Sequence, residues 1–159
     1  MLGLDAAQLN RTVLAEDGEP MNQLTRLGEL GIFDVPVDPT RSARLVPAGE
    51  VTAPIEVRAR SWLHANCAPC HQPFGPGLGQ ADLRFGAADP HLCDVAPSAG
   101  DRGLTGAKLL VAGAPSRSLI YVRATTRGPG QMPPLGSSLV DPDGAALLRD
   151  WIEGMKACP

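Results

Sequence analysis

The chain has 159 residues, enough for one domain and short for two. Gly (18) and Pro (16) are abundant, which excludes a bundle of long uninterrupted helices, while a 43% hydrophobic share and a net charge of −3 exclude a disordered chain. With 14 basic against 17 acidic residues there is no electrostatic footprint for nucleic acid and no polybasic membrane surface.

The aromatic stock is thin: Phe33, Phe74, Phe85, Tyr121, Trp62 and Trp151. Such a chain is expected to complete its core with something besides side chains. No apolar run approaches the ~18 residues needed to span a bilayer. The opening MLGLDAAQLNR lacks the basic and continuous apolar regions of a signal peptide, which by itself reads as cytosolic.

In chain order, Asn22, Leu24, Leu27 and Leu30 predict a short helix that Gly31 closes in a left-handed conformation. Pro36, Pro39, Pro47 and Pro54 then predict an extended segment. A boundary near residue 53 makes residues 1–53 an arm or the tail of a preceding domain, with the principal domain at 54–159. From Pro54 the run IEVRARSWLHANC has no internal breaker and carries Ala59, Leu63 and Cys67 at helical spacing. A further helix is expected over about 116–125. A last one has Asp141 as cap, Pro142 in the first turn, and Leu147, Leu148, Trp151, Ile152 and Met155 on one apolar face. Between them, GPGLGQADLRF and APSAGDRGLTG read as turns around at most a short strand.

Cys67-Ala68-Pro69-Cys70-His71 is a C-x-x-C-H motif, the spacing used for covalent attachment of a c-type haem. Two thiols on one helical turn can reach the two vinyl groups of a porphyrin edge, and the following His71 can then ligate the iron. Two alternatives are weaker. A thioredoxin-like dithiol belongs between a strand and a helix, whereas here a helix precedes the motif and a Pro/Gly loop follows. A zinc site using Cys67, Cys70, His71 and Cys93 would need adjacent residues as tetrahedral ligands.

Met132 is the expected second axial ligand, because it lies in RGPGQMPPLGSS, where a packing role is unusual. His91 and an open iron remain alternatives, and His64 lies one turn back on the side of His71. Met155 is assigned to packing, and Met1 and Met21 to the arm. GPGLG at 75–79 lacks the flanking strand and helix of a dinucleotide loop and reads as a turn beneath the haem.

These residues resemble a class I c-type cytochrome domain from about residue 54 onward: Ala59, Leu63 and Cys67 on the first helix, Met132-Pro133, then Leu148, Trp151 and Ile152 on the last. Ala59 stands where many members have Gly. The resemblance implies a mainly α fold, with cytochrome c-like helices around one covalent haem c and long Gly/Pro-rich loops. It also implies close packing of Ala59 and Leu63 near Leu148 and Trp151. A narrower resemblance is to the C-terminal haem module of large exported bacterial proteins.

The function expected from this is one-electron transfer with His71 and Met132 on iron, by a carrier or relay module and not an enzyme. The alternative is a haem peroxidase or gas sensor with an open distal site. Arg123 and Arg127, chosen from a set that includes Arg84, Lys108 and Arg117, are expected to pair with haem propionates. Trp62 and Tyr121 are assigned to packing. The expected partners are redox proteins, with a fused or associated dehydrogenase or a membrane redox complex as candidates. Haem attachment of this kind places the chain in the periplasm or another extracytoplasmic space, overriding the missing signal peptide. There Cys93 and Cys158 are expected to form a disulfide, two separate thiols being the alternative.

Overall fold

The computed structural model describes residues 5–158, so Met1 lies outside the described residues. The chain divides into two compact units, Met1–Leu45 and Val46–Pro159.

In the first unit, Asp5 caps α1 (Ala6–Leu9) by accepting the Ala7 amide at 2.7 Å. A hairpin of β1 (Thr12–Leu14) and β2 (Pro20–Asn22) follows, antiparallel with Thr12 opposite Asn22. Its turn is possible because Gly18 takes a φ of +85°. Helix α2 (Gln23–Glu29) starts at Asn22, whose side-chain oxygen accepts the Leu24 amide. It stops at Gly31, with φ +68°. Leu9 and Leu24 are buried. The buried Asn10 amide donates to the carbonyls of Pro39 and Ser42, both at 2.9 Å, and its oxygen accepts from Asn22. One asparagine thus ties the proline-rich segment to the hairpin.

The second unit contains α3 (Ile55–Cys67), a 3-10 turn (Pro115–Arg117), α4 (Leu119–Thr125) and α5 (Pro142–Gly154). Pro54 opens α3, and nothing breaks it before the cysteine motif. Asp141 caps α5 by accepting the amides of Asp143 and Gly144. Helices α3 and α5 pack directly on one another, so that Ala59 and Leu63 share a core with Leu147, Leu148, Trp151 and Ile152. Leu83, Leu92 and Leu110 complete it from the irregular segments. Fully buried Ser118 organises residues 111–118: its Oγ accepts the Val111 amide and donates to the Ala114 carbonyl, both at 2.9 Å. The bridge Cys93–Cys158 is present, with the two Cα atoms 5.6 Å apart.

This corrects the expected fold. The chain is a small α/loop protein, with five α-helices and one two-stranded hairpin among the described residues and an internal disulfide, and not a cytochrome c fold wrapped around a haem. The expected aromatic deficit is made good by aliphatic residues: leucines supply most of the large side chains in the α3–α5 core. No described helix is long and apolar enough to cross a membrane.

Candidate functional site

Helix α3 delivers Cys67 as its last residue. The Cys67 carbonyl then accepts two amides, from Cys70 at 3.1 Å and from His71 at 2.9 Å. This winds C-A-P-C-H into one tight turn, with Cys67 and Cys70 as half-buried free cysteines. The turn is held from both sides. The Leu83 amide donates to the His71 carbonyl at 2.9 Å, and the Gly77 amide donates to the Cys70 carbonyl at 2.9 Å.

The loop after the motif can approach this closely only because positions 75 and 77 carry no side chain. A Cβ on Gly77 would lie 2.7 Å from the Cys70 carbonyl oxygen and 2.8 Å from His71 Nδ1. One on Gly75 would run into the same carbonyl. Between the motif and these glycines, Phe74 is fully exposed and held at φ +63°, a conformation that bulky residues rarely adopt.

Burial, and then the neighbouring Cys70, push the Cys67 thiol up to about 12, so Cys67 stays protonated at neutral pH. Burial also lowers the His71 pKa, which favours the neutral imidazole. His64 is buried, and its Nδ1 accepts the Phe85 amide at 2.9 Å, a packing role. His91, at φ +47°, places Nδ1 3.4 Å from Asp89 Oδ2.

Met132 is elsewhere. Its amide donates to the Arg123 carbonyl at 2.9 Å, and it lines a cavity of about 340 Å³ with Trp62, Asn66, Arg127, Leu139 and Asp141. None of Cys67, Cys70 and His71 lines that cavity. The arginines are engaged by backbone. Arg123 donates to the carbonyls of Ala99, Gly100 and Gly130, and Arg127 to those of Ala124, Thr126 and Leu139. Arg84 forks onto Asp82. Cys93, considered above as a zinc ligand, is committed to the disulfide.

Among the described residues no three His, Cys, Asp or Glu side chains gather into a group able to hold a metal ion. The residues expected to hold a haem iron therefore do not fit that group here, since His71 packs against Gly77 while Met132 faces a different cavity. The readings built on it are corrected accordingly: the class I c-type cytochrome resemblance, haem c carried by Cys67 and Cys70, and iron binding by His71 and Met132. So are one-electron transfer by such a haem and the peroxidase or gas-sensor alternative. What the motif presents is a pair of free thiols. Sequence reasoning missed the part played by Gly75 and Gly77, though the density of glycine in GPGLG was the available signal.

The chain matches no known protein family, no curated protein and no solved structure.

Proposed function

We propose that the chain is an extracytoplasmic, non-catalytic module that serves redox partner proteins through thiol–disulfide exchange at Cys67 and Cys70. The observation that carries this is the coexistence of a formed Cys93–Cys158 bridge with a second cysteine pair, free and wound into a single turn. Disulfides of the first kind persist in oxidising compartments, which supports a site outside the cytoplasm. The hydrogen bond from the Cys70 amide to the Cys67 carbonyl is that of a four-residue turn, whose end Cα atoms lie within about 7 Å, and disulfides span roughly 4.4–6.8 Å.

Cys70 loses its proton to solvent and attacks a disulfide of the partner protein, releasing one partner thiolate, which takes up a proton. Cys67 then gives up its proton and closes on Cys70, expelling the second partner thiolate, which is protonated in turn. Two electrons and two protons pass to the partner, and the Cys67–Cys70 disulfide is the product. Cys67, protonated at neutral pH, is suited to the second step and not the first.

The test is intact mass and thiol alkylation of the full chain recovered from the periplasmic fraction under acid quench. Two thiols beyond the Cys93–Cys158 pair, reversibly lost on oxidation with a mass decrease of two hydrogens, are expected. A stable adduct on Cys67 or Cys70 that survives reductant, such as a thioether-linked tetrapyrrole, overturns the reading. So does a pair that cannot be closed by a disulfide oxidant.

A further inference from the structure

We propose that Arg102, set beside Arg123, forms a binding site for an oxyanion at the 99–103 loop and the 128–130 turn. Arg123, near the end of α4, spreads its guanidinium over three carbonyls, with Nη1 on Gly130 at 3.1 Å and Nη2 on Ala99 at 2.9 Å and Gly100 at 3.0 Å. Arg102 reaches the same turn from the other loop, donating from Nη1 to the Pro129 carbonyl at 2.9 Å. Both Nη1 atoms converge on Gly130, at φ +80°. A Cβ there would run into Arg102 Nη1 and lie 3.5 Å from Arg123 Nη1.

Two guanidinium groups brought together concentrate positive charge, which an anion beside them offsets. Among the described residues no carboxylate pairs with either. Asp101 is the nearest in sequence, and its Oδ1 accepts the Gly103 amide at 2.9 Å. The Nε and Nη2 atoms of Arg102 have no acceptor among the described residues, and together they form the edge of the fork that grips a carboxylate or phosphate with two parallel hydrogen bonds. Arg102 is held in this position at φ +61°, which a non-glycine residue adopts only when its surroundings impose it. It is also solvent-exposed, so a ligand can reach it.

The shared chemistry is an oxyanion, either free phosphate or the carboxylate of a partner. The experiment is an amide NMR titration of the full chain with inorganic phosphate and, separately, with acetate, each against sodium chloride at matched ionic strength. Saturable shifts confined to residues 99–103 and 128–130 are expected, weakened about tenfold or more in Arg102→Gln. Tighter binding of phosphate assigns a free phosphate ligand; equal or tighter binding of acetate assigns a carboxylate. Shifts that sodium chloride reproduces at equal ionic strength overturn the proposal, as does unchanged affinity in Arg102→Gln. Because Arg123 also clamps two loops, the variant that decides is Arg102→Gln, whose one protein hydrogen bond is at the surface.

Discussion

Trp62 Nε1 donates to Asp141 Oδ2 at 2.8 Å, so the middle of α3 is tied to the residue that starts α5. The same carboxylate uses Oδ1 to accept the amides of Asp143 and Gly144, both at 3.1 Å. Its two oxygens therefore serve two helices. Gly144 is required opposite the indole, because a Cβ there would collide with Trp62.

Asp141→Ala removes a helix cap and leaves the indole N–H without its acceptor. A loss of about 1–2 kcal/mol is expected, measured as a shift in urea midpoint with an unchanged slope. The pH dependence has a definite sign. The Gly144 amide, then the Trp62 indole, hold the Asp141 carboxyl below its ordinary 3.8. Its contribution is thus fully present above that value and is lost as pH falls through the lower folded value. Wild type should lose stability below about pH 4 more steeply than Asp141→Asn. Parallel acid limbs for the two proteins would show that this carboxylate is not responsible.

Gly77→Ala should disturb the cysteine turn without touching a cysteine. The added methyl meets the Cys70 carbonyl at 2.7 Å and His71 Nδ1 at 2.8 Å, so the loop or the turn has to move. The expected cost is about 1–3 kcal/mol, with a changed alkylation rate at Cys70. Gly86→Ala is the control, since no atom lies within 4 Å of a Cβ placed there. Equal behaviour of the two variants in thermal melts would contradict the close approach.

The longer elements were legible because their signals are local. Pro54 with an unbroken run to Cys67 fixes α3, Asp141-Pro142 fixes the start of α5, and Asn22 with Gly31 fixes both ends of α2. The expected 116–125 helix is instead a 3-10 turn joined to α4, because Ser118 turns its hydroxyl back onto Val111 and Ala114 and interrupts the helical bonding. Helix α1 and the hairpin, with three- and four-residue elements, are too short to show a period. They depend on Asn10 and its contacts with Pro39 and Ser42, about thirty residues away. At the site, the motif identified the turn correctly but not its surroundings. Whether His71 and Met132 face one cavity is decided by the loops at 72–83 and 126–139, whose course follows from individual glycine contacts and backbone acceptors and not from composition.

The two thiols of the motif should react at very different rates. Burial and the neighbouring Cys70 push Cys67 up to about 12, so at pH 8 it is almost wholly protonated. Iodoacetamide at pH 8 is expected to label Cys70 first in the reduced protein, located by peptide mass. In Cys70→Ser the remaining Cys67 should label slowly, with a rate that climbs about tenfold per pH unit well past pH 9. Rapid labelling of Cys67 at pH 8 in that variant would contradict its burial.

Cys93 and Cys158 are separated by 65 residues, and the bridge fixes the end of the chain beside Cys93, which also pairs with Leu110. Closing a loop of that length restricts the unfolded chain by about 4 kcal/mol in the chain-entropy treatment. Cys158→Ser should therefore lose about 2–4 kcal/mol, and the Cys93→Ser/Cys158→Ser double variant should lose no more, since either change opens the same loop. In reductant, wild type should fall to the stability of the double variant, while the double variant is unaffected. A wild-type melting temperature that does not move in reductant, with both thiols confirmed free by alkylation, would show that the bridge adds nothing to the folded state.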